Sequence, residues 1–136
     1  MNNRIDDKIC EIEKYLDELE EIKPLNLEDY IKDIKTKAAC ERYIEKIIEA
    51  VVDLAFLLIK YKNFKSPESD TEAFNILSFN KIISLNLSDR LQDAKGMRNI
   101  IAHQYGQIND EIVFETIDQE LIKDVTEFIE IIKTLS

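Results

Sequence analysis

Apolar residues recur at intervals of three and four along almost the whole chain, the spacing that gathers them on one face of an α-helix. The first run, Ile5, Ile9, Ile12, Leu16 and Leu19, predicts a helix from about Arg4 to Ile22, closed by Pro24, which cannot continue it. A second, longer helix is expected to begin at Asn26, whose side chain can cap the free amides of a first turn. It carries Leu27, Ile31, Ile34, Ala38, Ile44, Ile47, Val51, Leu54 and Leu58 on its inward stripe. Between Val51 and Ile59 that stripe widens to nearly the full circumference, as expected of a helix packed on several sides, so this element should be the spine. Asp53 interrupts the stretch. A lone carboxylate there must be paired, hydrogen-bonded or at a rim, and it stands either as a structural partner or as a second-rank site candidate.

Tyr61 to Asp70 reads as the main loop, closed by Thr71 as the cap of a short third helix running to about Asn80. Ser88 is expected to cap a fourth, with Leu91, Ala94, Met97 and Ile101 inward and Gly106 as a stop beyond its end. A fifth, from about Asp110, carries Val113, Ile117, Leu121, Val125, Phe128 and Ile132. The pattern therefore predicts an all-α, up-and-down bundle of about five helices forming one domain over residues 1–136.

Composition sharpens this picture. Two Gly and two Pro beside 22 Ile leave few turn signals and much regular apolar structure. The amino terminus lacks an apolar signal core, and the run from Val51 to Ile59 is too short to span a bilayer. A cytoplasmic protein without membrane contact is expected. Cys10 and Cys40 are far apart, with no His or Cys at ligand spacing, and read as buried free thiols. Neither a metal nor another cofactor is expected. The net charge of −10 opposes a general nucleic-acid coat. Its distribution is uneven, though: residues 31 to 65 carry 8 basic against 5 acidic groups. A solvated helix face explains such an excess as readily as an RNA surface does.

Site chemistry concentrates in one stretch, Gly96-Met97-Arg98-Asn99-Ile100-Ile101-Ala102-His103-Gln104-Tyr105-Gly106, which holds the only His of the chain. A lone His at a helix carboxyl end can simply be a polar terminus whose cationic form the helix dipole favours. Arg and Tyr at fixed spacings from it are less ordinary. Gly96, inside a helix, costs about 1 kcal/mol relative to Ala and is expected to admit a close neighbour, whether substrate or a packing helix. Tyr105 can stack a base, position a phosphate, cover the helix end or accept a nucleotide.

Arg98-Asn99-x3-His103-x-Tyr105, with Glu41-Arg42-Tyr43-Ile44-Glu45 through Asp53, Glu72-Ala73-Phe74 and the closing helix, resembles the HEPN superfamily and most closely its HepT toxins, over about residues 28 to 136. That resemblance implies a helical bundle that forms a homodimer, metal-independent RNA cleavage at the interface, and a toxin opposed by an MntA-like antitoxin nucleotidyltransferase that adenylylates the motif Tyr, here Tyr105. Helical geometry adds a constraint. At about 100° and about 1.5 Å per residue, Arg98 and His103 point about 140° apart, whereas Asn99 shares a face with His103 and Arg98 shares one with Tyr105. Arg98 must reach round, or meet the His103 of another chain. Attack by the RNA 2′-OH needs a base, an acid for the leaving oxygen, and positive charge on the transition state. One His does not readily serve as both, while two facing chains bring two His103 and two Arg98. The expected roles are His103 as acid/base, Arg98 as the phosphate clamp, Asn99 orienting, and Tyr105 assisting and regulated. Two other readings stand beside this: a non-catalytic HEPN partner that binds a nucleotidyltransferase, which the acidity favours, and a helical interaction subunit with no nucleotide connection.

Overall fold

The computed structural model of the chain describes residues 2–103 and 109–135, with His103 described by its backbone alone. Among these residues there are helices and no strand. Helix α1 (Asn3–Ile22) is capped by Asn2, whose Oδ1 accepts from the amide of Ile5 at 2.9 Å, and its whole expected stripe is buried. Helix α3 (Ile34–Tyr61) is the spine, touched by α1, by the short α2 (Leu27–Lys32), by α4 (Asp70–Phe79) and by α5 (Leu85–His103). Lys8 lies beside Asp53 and Tyr15 beside Tyr43, so α1 and α3 run antiparallel. A short α6 (Asp110–Glu115) leads through a π-helical segment, Thr116–Leu121, into α7 (Ile122–Lys133).

The second helix departs from expectation. It is two helices, broken at Asp33, whose side chain accepts from the amide of Lys35 at 3.0 Å and the hydroxyl of Thr36 at 2.8 Å. Those bonds reward an extended backbone at Asp33 and start α3 afresh, as a cap does. The break also turns α2, so that Tyr30 is fully buried against Phe114, with ring centroids 5.6 Å apart, while Ile31, Ile34 and Ala38 of the expected inward stripe are exposed.

Two caps move as well. Ser69, not Thr71, caps α4 by accepting from the amide of Glu72, and Ser84, not Ser88, caps α5 by accepting from that of Leu87. Ser88 is buried within α5, where its hydroxyl takes a hydrogen bond from Gln92 at 3.0 Å. In both cases a serine nearer the loop than the expected cap accepts the free amide of the first turn. Asn63 and Lys81 adopt left-handed backbone (φ 59 and φ 60) just past α3 and α4, letting the amides of Phe64 and Ile82 close back on Ile59 and Leu77.

The closing run is buried at Val113, Ile117, Leu121, Val125, Phe128 and Ile132 as expected. Three successive steps of four overshoot the helical repeat and would carry the stripe off the core. The wider-wound segment Thr116–Leu121 takes up that drift, and the Thr116 hydroxyl satisfies the carbonyl of Ile112 at 2.8 Å. Cys40 is buried, its thiol pushed up to about 11 by that burial, but Cys10 is exposed, because it sits one position off the α1 stripe. No helix among the described residues is long and apolar enough to cross a membrane.

Candidate functional site

Helix α5 delivers the motif. Its start is fixed by the Ser84 cap, and its middle by Arg90, which bridges to α7 through buried Asp124 and through Glu127 at 2.9 Å. Those bonds hold the Arg90 guanidinium above its usual range, the Asp124 contact being the largest cause. Leu87, Leu91, Ala94 and Ile101 bury the inward face, whereas Met97 is half-buried. The helix is described as far as His103. Beyond the motif, Asn109 caps α6 by accepting from Ile112, and Asp110 meets the Lys37 ammonium of α3 at 2.9 Å. Glu41 lies near this pair, and burial raises its carboxyl despite the opposing pull of Lys37.

Arg98 is turned toward the spine. Its Nη2 donates to Oε1 of Glu49 at 2.5 Å, Nη1 donates to Oδ1 of Asn99 at 3.4 Å, and Nε–H is buried without a partner among the described residues. The guanidinium therefore points across to α3. A cavity of about 160 Å³ lies beside it, between α3 and α5, lined by Ile48, Glu49, Val52, Asp53, Asp70, Lys95 and Arg98. Lys95, one turn before Arg98, faces Asp70 at 3.5 Å.

Asp53 sits at the rim. Its side chain is 63% exposed and 3.6 Å from the Lys8 ammonium, a solvated pair of small energetic weight. It lines the Arg98 cavity but makes its pair with Lys8. Asp53 also borders a larger cleft of about 1030 Å³ between the start of α1 and the end of α3, where Arg4, Lys8 and Lys60 are matched by Asp7, Glu11 and Asp53 itself. That balance of charge gives a phosphate no net attraction there.

The structure brings Arg98 and Asn99 together and adds Glu49, which no motif in the sequence marks. Glu49 and Asp53 are four positions apart, so both carboxylates lie on the α3 face that borders α5. The side chain of His103 and all of Tyr105 and Gly106 lie outside the described residues. A Cβ added at Gly96 would meet nothing within 4 Å among the described residues, so none of them packs closely on Gly96. No group of three or more His, Cys, Asp or Glu that could hold a metal ion occurs among them either.

A family model described as Ribonuclease HepT-like matches residues 12–132. The chain is 27% identical to the mRNA nuclease HepT of Shewanella oneidensis over 133 residues, 98% of each protein. It is 31% identical to the tRNA nuclease HepT of Aphanizomenon flos-aquae over 107 residues, 78% of this chain and 72% of that one. Among solved structures, the tri-AMPylated Shewanella oneidensis HEPN toxin in complex with MNT antitoxin matches with a TM-score of 0.92 at 26% identity, covering 99% of this chain and 100% of the other.

Proposed function

Because the chain belongs to the HepT-like ribonuclease family, we propose that it is the endoribonuclease toxin of a toxin–antitoxin pair, cutting RNA without a metal in a cleft shared by two copies of itself. The observation that carries this reading is that the family match, residues 12–132, runs from the middle of α1 into α7 and includes α5, whose last turns hold Arg98, Asn99 and His103. One His103 takes the proton of the RNA 2′-OH, whose oxygen attacks the adjacent phosphorus. The other His103 gives a proton to the departing 5′ oxygen, leaving a 2′,3′-cyclic phosphate. Arg98 carries the charge that accumulates on the phosphoryl oxygens, for which its planar fork suits better than an ammonium. Asn99, one helical turn before His103 on the same face, orients the imidazole.

A second copy is supported by what α5 leaves uncovered. Gly96, Ile100 and His103 follow one another at helical spacing, no described residue lies within 4 Å of a Cβ built on Gly96, and Ile100 and Ile112 are 36% and 51% exposed. A facing helix could approach closely over the glycine, covering the isoleucines and meeting a second motif. The partner that restrains the toxin is a nucleotidyltransferase antitoxin of the MntA type, acting on Tyr105, and the pair works in the cytoplasm, where its RNA substrates are. The relative solved as an AMPylated toxin with its MNT antitoxin supports this assignment.

The expected result with purified protein is cleavage of RNA in excess chelator, giving 2′,3′-cyclic phosphate ends, with no cut at a site whose 2′-OH is replaced by hydrogen. Cleavage that needs an added divalent cation, or that proceeds at the 2′-deoxy position, would contradict the reading.

A further inference from the structure

We propose that Glu49 is a positioning residue for this cleavage, holding the Arg98 guanidinium in the attitude in which it meets the scissile phosphate; the inference rests on the ribonuclease reading above. Arg98 reaches no acceptor on a distant element other than Glu49 among the described residues. Its second bond, to adjacent Asn99, is long at 3.4 Å and comes from the same helix. The short 2.5 Å contact across to α3 therefore fixes which way the guanidinium faces. It occupies Nη2 and leaves the buried Nε–H without an acceptor among the described residues. A buried donor without a partner is costly to keep, and the edge of Arg98 that Glu49 leaves unbonded is the one a phosphoryl oxygen in the shared cleft would meet. Arg98 thus has one edge tethered and one edge waiting.

Stability does not explain the pair. The Glu49 side chain is 46% exposed and that of Arg98 25%, the range in which ion pairs add little to folding. Nor does a carboxylate beside a phosphate site help a ground-state anion to bind. Glu49 therefore acts on the geometry of the transition state, where a misplacement of about 1 Å can cost on the order of 10²-fold in rate.

The test compares wild type, Glu49→Ala and Glu49→Gln on one RNA, measuring kcat and KM separately, with melting curves as the folding control. Glu49→Ala is expected to melt with wild type, to lower kcat by about 10- to 100-fold, and to leave KM unchanged or reduced, because a repelling charge has gone. Glu49→Gln should recover part of kcat, since its amide oxygen still accepts from Nη2. Glu45→Gln, one turn away and paired instead with Arg42 at 3.5 Å, should leave both constants unchanged. A kcat for Glu49→Ala within twofold of wild type would overturn the inference while the ribonuclease reading survived. So would equal loss in the Ala and Gln variants, which would make charge rather than orientation the cause. Absence of cleavage by the wild-type protein would instead remove the reading on which the inference rests.

Discussion

Replacing His103 with Ala is expected to lower RNA cleavage by about 10³-fold without altering the fold. A positioned acid or base contributes roughly 10² to 10⁴ in rate, and a two-fold dimer loses both copies at once. The helix that carries His103 is held by contacts that do not involve it: the Ser84 cap, the Arg90 bridge to α7 and the buried Leu87, Leu91 and Ala94. The melting temperature should therefore stay within a few degrees of wild type. Arg98→Ala removes charge stabilisation and should cost about 10²- to 10³-fold, again with little effect on folding, since its pair with Glu49 is partly exposed and adds little to stability. Single-turnover cleavage of a labelled RNA, with circular dichroism on the same samples, measures both. Activity of either variant within a few fold of wild type would remove that residue from the chemistry.

The second large effect concerns control. Nucleotide attached to the Tyr105 oxygen places bulk and negative charge two residues from His103, where it competes directly with RNA phosphate. Incubation with the antitoxin nucleotidyltransferase and ATP should therefore reduce cleavage by wild type by about 10²-fold or more, equivalent to roughly 3 kcal/mol of lost transition-state stabilisation. Tyr105→Phe cannot form the ester. It should keep most of its own cleavage and escape the inhibition, so that cells expressing it with the antitoxin stop growing while those expressing wild type do not. Mass spectrometry would show AMP on the wild-type chain and none on the variant. Inhibition of Tyr105→Phe to the wild-type extent would place the control elsewhere, for instance in simple occlusion by the antitoxin.

Long amphipathic runs with repeated steps of three and four were legible because burial alone decides them. Every expected core position of α1 and of the closing run is buried. The break at Asp33 was not legible, because the apolar spacing passes through it unbroken and the deciding bonds, from Lys35 and Thr36 to one carboxylate, are local and polar. Ser69 and Ser84 escaped notice for the related reason that two serines or threonines near a helix start offer equivalent caps by pattern. The π-helical turn follows from three four-residue steps in a row, a signal that was present but read as an ordinary helix. At the site, the motif spacing marks Arg98, Asn99 and His103 as candidates from the sequence alone. Glu49 is 49 residues away, and its relation to Arg98 exists only through the packing of α5 on α3.

The central claim is that one cleft is built from two chains, each giving an imidazole and a guanidinium. The most direct measurement is the activity of a purified mixed dimer in which one chain is wild type and the other carries His103→Ala, with the two chains tagged differently so that neither parent dimer contaminates it. A site that needs both imidazoles predicts that this mixed dimer cleaves RNA at less than about a tenth of the wild-type rate, the loss of one of its two proton-transfer groups. Retention of half the wild-type rate would contradict it, for then each chain would cut RNA with its own residues.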